Sequence, residues 1–186
     1  MKDIFEKTIR EHAEILKSFE LKKDIVLKIS KCLINCLKKG HKILLCGNGG
    51  SAADAQHMAA EIVGRFLKDR KGYPAIALTT DTSIITSVSN DYSFEKIFER
   101  QIEALACKGD VLIGFSTSGS SINIVKAFEK ARDMGVKTIG ILGKPGKIYY
   151  LSDITFTING STARVQEIHS ILIHILCELI EENLLK

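Results

Sequence analysis

Five short, largely apolar runs recur along this chain, at residues 41–46, 75–78, 110–115, 136–142 and 154–158, separated by helix-forming segments. This alternation is the strongest constraint on the fold. A strand that is apolar throughout must be covered on both faces, and a helix between successive strands lets them pair in parallel. The expected class is α/β: a three-layer αβα sandwich around a five-stranded parallel sheet, with right-handed crossovers. In such folds ligands bind beyond the carboxyl ends of the strands.

Two N-terminal helices are expected before the first strand. Residues 2–19 place Phe5, Ile9, His12, Leu16 and Phe19 at steps of three and four. Residues 22–38 carry Ile25, Leu27, Ile29, Leu33, Ile34 and Leu37, and Lys38-Lys39-Gly40 reads as a stop. Further helices are expected from a cap at Ser51 or Asp54 to about Lys68, briefly near Ile84 and Ile85, and over 93–107, 121–134 and 162–185. The 186 residues contain only two prolines and no linker, so one domain over 1–186 is expected, with 1–39 as its N-terminal helical segment.

Composition excludes several functions. The N-terminus lacks the apolar block of a signal peptide, and no stretch offers the roughly 20 apolar residues needed to span a bilayer. Five cysteines, an odd count with no C-x-x-C, fit reduced thiols in the cytosol. Cys46 is read as a small core-filling thiol rather than a nucleophile. The net charge of +4 is spread along the chain, and only 6% of residues are aromatic. Neither nucleic acid nor membrane is an expected partner, while a small anionic substrate is compatible.

Two turns could hold an anion. Ser116-Thr117-Ser118-Gly119-Ser120-Ser121 follows the third strand and is rich in hydroxyls, and the helix after it offers unpaired N–H groups. It contains no lysine, so it is not a nucleotide P-loop, and a sugar phosphate suits it better. A plain serine-rich cap remains the alternative. Asn48-Gly49-Gly50-Ser51 follows the first strand, but Gly47-Asn48-Gly49-Gly50-Ser51 is not the dinucleotide fingerprint. Asn90-Asp91 could bond substrate hydroxyls, although an Asx turn opening the helix at 93 is the favoured reading.

Acid–base and metal-ligating groups occur in two helices. His57 and Glu61 are four apart and share a face, where Arg65 adds a cation; they could hold a divalent metal or form a surface ion pair. The last helix carries Gln166, Glu167, His169 and His174. Gln166 and His174 lie about 12 Å apart along the axis, a stretch for one ion unless different subunits supply the ligands, and Gln166 with His169 is an easier pair.

Taken together and in order, Cys46-Gly47-Asn48-Gly49-Gly50-Ser51, His57-x-x-x-Glu61-x-x-Gly64-Arg65, Gly72-Tyr73-Pro74-Ala75, Ser89-Asn90-Asp91, Ser116-Thr117-Ser118-Gly119 and Gln166-Glu167-Ile168-His169 with His174 resemble the bacterial phosphoheptose isomerases of the sugar isomerase (SIS) group. The resemblance spans essentially the whole chain. It implies conversion of sedoheptulose 7-phosphate to D-glycero-D-manno-heptose 7-phosphate, with Glu61 as base and His174 as acid. It also implies one Zn2+ per subunit on His57, Glu61, Gln166 and His174. The implied substrate contacts are Asn48, Gly49, Gly50, Ser51, Glu61, Asn90, Asp91, Ser116, Thr117, Ser118, Ser121 and Gln166. A homotetramer with interfacial sites, assembled in part through segment 1–39, completes the expectation. Some members carry an aspartate where this chain has Ala163. The rival reading is a non-enzymatic SIS protein that binds the replication initiator.

Overall fold

The computed structural model describes residues 2–185, Lys2 by its backbone alone. Five parallel strands, β1 (Ile43–Gly47), β2 (Ala75–Ala77), β3 (Val111–Ser116), β4 (Lys137–Leu142) and β5 (Ile154–Thr157), pair in the order β2-β1-β3-β4-β5. The helices are α1 (Lys2–Glu20), α2 (Lys23–Lys38), α3 (Gly50–Val63), α4 (Thr82–Asp91), α5 (Ile97–Leu105), α6 (Ile122–Asp133), α7 (Lys147–Leu151) and α8 (Thr162–Leu184). The expected sandwich is present. β1 and β3 are buried along their whole length, as strands covered on both sides must be.

Alternate residues of β1 and β3 feed two separate cores. Ile43, Leu45, Val111, Ile113 and Phe115 face α1, α2, α3 and α8. Leu44, Cys46 and Leu112 face the opposite layer, with Phe98, Phe128 and Ile148. Each large aliphatic side chain so buried contributes about 1.5–3 kcal/mol. Cys46 is wholly buried and its thiol is pushed far above its ordinary range by that burial, as befits a core residue. The register aligns Cys46 with Gly114 and Gly47 with Phe115, so the turns after β1 and β3 open side by side where the strand order reverses.

Several boundaries differ from expectation. α3 stops at Val63 rather than near Lys68, and it is capped by neither Ser51 nor Asp54: Gly49, at φ +57°, stands at its start. The segment expected as helix 93–107 opens with a 3-10 turn at Phe94–Lys96 before α5. Asn90 and Asp91 close α4 instead of opening that segment. The short α7 was not anticipated. In α1 only the C-terminal part of the apolar stripe is covered: Ile15 and Phe19 are buried, and Phe19 meets the Phe156 ring edge-on at 5.7 Å.

Candidate active site

The site grows from α3 and α8, which run side by side in the same direction. Three cross-helix pairs mark the alignment. The Gln166 amide packs over Gly50, where an added Cβ would meet it at 2.4 Å. One turn on, the Ser170 hydroxyl faces Asp54 Oδ1 at 3.5 Å. Further along, His57 Nε2 and His174 Nε2 approach to 3.2 Å, and Glu61 Oε1 lies 3.4 Å from His57 Nε2. The Phe66 ring lies 5.6 Å from His174 and backs it with an apolar surface. The fold thus joins the His57–Glu61 pair to His174, which the sequence places more than a hundred residues away.

Gln166 stands apart from that trio within the same chain. About 12 Å of helix rise separates it from His174, and its amide is held at the other end of the helix pair. The other two candidate ligands of α8, Glu167 and His169, leave the site altogether, because each step along a helix turns about 100°. Glu167 faces α1, contacting His12 Nδ1 at 2.6 Å, and accepts from Arg164 of its own helix. His169 is fully buried, 6.1 Å from the Phe115 ring, so the pairing of Gln166 with His169 does not form. Arg65 lies beyond the end of α3 and is exposed, outside the face it was expected to share.

The donor set can be tested against zinc. Zn–N and Zn–O bonds of about 2.0–2.2 Å in a tetrahedron separate neighbouring donors by roughly 3.3 Å. The observed 3.2 and 3.4 Å gaps match that edge pair by pair. Two imidazoles and a carboxylate are also the ligand types of a zinc site that keeps a position open for substrate. Among the described residues, however, no group of three or more His, Cys, Asp or Glu side chains is placed to hold a metal ion. Within one chain the fit to zinc therefore extends to donor type and to the two spacings about His57, and the remaining ligands would have to come from rearrangement or from another copy. Asp54, buried beside the trio with Oδ2 unpartnered, is raised to about 6 by burial, offset in part by His57 and Ser170.

The two turns form the other half of the site. Asn48 and Asn123 exchange reciprocal amide hydrogen bonds of 3.0 and 2.8 Å, tying the turn after β1 to the first turn of α6. Asn123 has no reactive group and was missed in the sequence; its only signal was its position two residues past the serine run. Ser116 Oγ accepts from the Gly119 N–H and touches the hydroxyls of Ser118 and Ser121. Thr117 and Ser118 stay open to solvent. The β4–α7 loop locks this turn from behind: Lys144 N–H donates to Thr117 O, and Ile148 N–H to Gly119 O. Gly119, at φ +69°, leaves no room for a Cβ, which would sit 2.2 Å from Lys144 O. Asn90 and Asp91 are exposed and bond each other at 2.8 Å; among the described residues no hydrogen bond joins them to either turn.

A second missed pair positions Glu61. Arg70 donates to the carbonyls of Glu61, Ile62 and Gly64 at the end of α3, where helix carbonyls lack partners within the helix; Ile62 O also accepts the Tyr73 N–H. Its guanidinium in turn contacts Glu181 at 3.1 Å, both side chains being 2% exposed. Glu181 also accepts the N–H groups of Phe66, Leu67 and Lys68, which ends α3 early by drawing these groups out of the helical ladder.

Known proteins share this fold. A family model for the SIS domain matches residues 9–143. The phosphoheptose isomerase of Aliarcobacter butzleri is 50% identical over 99% of both chains. That of Aquifex aeolicus is 52% identical, over 95% of this chain and 94% of its own. Among solved structures, the phosphoheptose isomerase of Neisseria gonorrhoeae superposes with a TM-score of 0.87 at 39% identity, covering 97% and 96% of the two chains. The Francisella tularensis enzyme gives 0.89 at 34%, with the same coverage. With a near-full-length match in sequence and in fold, this chain belongs to the phosphoheptose isomerase family of SIS-domain proteins.

Proposed function

We propose that this chain converts sedoheptulose 7-phosphate to D-glycero-D-manno-heptose 7-phosphate, an aldose–ketose isomerisation that opens the route to ADP-heptose for lipopolysaccharide core or other surface glycans. The observation that carries it is the meeting of Glu61, His57 and His174 in a chain half identical to named phosphoheptose isomerases over nearly its full length. The replication-initiator reading gains no support from these relatives.

The reaction takes a proton from carbon 1 of the ketose and returns one to carbon 2 through an enediol. A carboxylate suits the carbon acid, and an imidazole suits proton movement between the two oxygens. Glu61 is the proposed base and His174 the proposed acid. Arg70 holds the Glu61 backbone in place, which limits the directions in which the carboxylate can point. The hydroxyls of Ser116, Thr117, Ser118 and Ser121 and the N–H groups of the turn at Asn48, Gly49, Gly50 and Ser51 would take the phosphate. Asn90 and Asp91 would reach sugar hydroxyls.

One zinc ion per subunit is part of the proposal, on His57, Glu61 and His174 with Gln166. Bound there, zinc would polarise the substrate carbonyl. Because Gln166 is two helical turns from His174 in one chain, a complete set of four calls for side chains from more than one copy. His57, Glu61 and His174 also lie on an open helix surface, and proton transfer at carbon benefits from exclusion of water. Both arguments support a homotetramer with interfacial sites. Cytoplasmic location belongs to the same reading, supported by five free cysteines.

Glu61→Gln tests the central role. Turnover of sedoheptulose 7-phosphate should fall by about 10²–10⁴, while calorimetric binding of the sugar phosphate survives. Turnover retained near the wild-type rate would remove Glu61 as the base. Treatment with a chelator should abolish activity and added zinc should restore it; activity that survives chelation would remove the metal.

A further inference from the structure

A sizeable cavity lies away from the site above. It is a cleft of about 710 Å³ at the opposite end of the sheet, where β3, β4 and β5 begin. Its walls carry Lys28, Lys39, Lys108, Arg132 and Lys137, drawn from α2, the turn before β3, the end of α6 and the start of β4. Only two carboxylates, Asp110 and Asp153, line it, and both are engaged elsewhere. Asp110 takes the Lys42 ammonium at 2.6 Å and the N–H groups of Lys42 and Cys107. Asp153 takes the N–H and hydroxyl of Thr138. The cleft therefore concentrates most of a net charge of +4 that looked evenly spread along the sequence.

The floor has a different character. Cys36, Val111, Val136 and Ile154 are buried there and form an apolar base beneath the charged walls. The Cys36 thiol is pushed up to about 12, chiefly by burial and then by Asp110, so it stays neutral and does not oppose an anion. Gly109 and Gly135 line it without side chains. The volume is typical of sites for whole cofactors or metabolites and well beyond what one phosphate needs. Converging cations attract a multiply charged anion at long range, and an apolar floor gives a ring something to lie on.

We propose that this cleft binds a polyphosphate-bearing metabolite of the nucleoside diphosphate class, at a site separate from the one for sugar phosphate. The test uses ADP, pyrophosphate and inorganic phosphate, titrated calorimetrically into the intact protein. ADP should bind more tightly than pyrophosphate, and pyrophosphate more tightly than phosphate. The double variant Lys39→Glu with Lys108→Glu should weaken ADP about tenfold or more while leaving isomerase turnover unchanged. Ser118→Ala, in the turn after β3, should leave ADP binding within about twofold, since nothing in the cleft is altered. A second readout avoids mutation: in the wild-type protein, ADP should protect Lys39, Lys108 and Lys137 from acetylation, measured by mass spectrometry. The proposal is overturned if ADP fails to bind at millimolar concentration, if it binds no better than pyrophosphate, if the double variant binds it unchanged, or if these lysines gain no protection.

Discussion

At the scale of single residues, α8 shows how position decides chemistry. Four of its polar side chains looked like candidate ligands, and the fold sends each in a different direction. His169 goes furthest from catalysis: it is fully buried, and neither ring nitrogen has a hydrogen-bond partner of normal geometry, although the Leu142 backbone lies close enough to favour its charged form slightly. Burial lowers its pKa to about 4. The unfolded chain takes up a proton near the ordinary histidine value of about 6.5, and the folded chain resists it until about 4. The contribution of a neutral His169 is thus fully present above about pH 6.5 and is lost as pH falls toward 4, by an amount on the order of 3 kcal/mol. Melting temperature measured from pH 8 to pH 5 should fall in the wild type and fall less steeply in His169→Leu; identical slopes would show that His169 does not titrate in this way. The sequence made His57 with Glu61 legible because an i, i+4 pair on one helix needs no tertiary information. It could not separate His169 from His174, since the segment around both is apolar and the direction of the core is set by packing.

At the scale of elements, the end of α3 is the instructive case. Periodicity ran on toward Lys68, yet the helix stops at Val63 because Glu181, on the last turns of α8, captures three backbone N–H groups that a longer helix would have used. Burial alone would raise the Glu181 carboxyl; those N–H groups and the Arg70 guanidinium hold it below the usual carboxylate range. Removing one member of a buried pair strands the other charge, at a cost of about 3–5 kcal/mol. Glu181→Leu should therefore lower the urea midpoint strongly. It should also lower kcat, because Arg70 would lose the contact that aims it at the Glu61 carbonyl. A variant with wild-type stability would show that the pair is dispensable. Helices and strands themselves were readable, since the strands are apolar and sharply bounded by glycine and serine. The boundaries that moved, including Asn90-Asp91 closing α4, depend on partners more than a hundred residues away or on local turns that many sequences permit. The same holds for Asn123, whose importance comes only from the amide it meets across the switch point.

At the scale of the whole molecule, the question is what covers the surfaces one chain leaves open. Three α1 side chains, Ile4, Phe5 and Ile9, are more than half exposed, while Ile15 and Phe19 of the same helix are buried. The N-terminal half of the helix thus presents an apolar stripe that the described residues leave more than half exposed. Burying such side chains against other copies would contribute about 1.5–3 kcal/mol each. The same copies would bring the additional donors that the open trio of His57, Glu61 and His174 lacks. If the proposed assembly completes the site, assembly and catalysis should fail together. The double variant Phe5→Asp with Ile9→Asp should sediment as a smaller species than the wild type. Its circular dichroism and melting should change little, because neither residue belongs to a core. Its isomerase turnover should fall to a small fraction of wild type, and dilution of the wild type through its dissociation range should reproduce the loss. A monomeric variant with full turnover would mean that a single chain completes its own site, and the distance between Gln166 and His174 would then have to be closed by movement within α8.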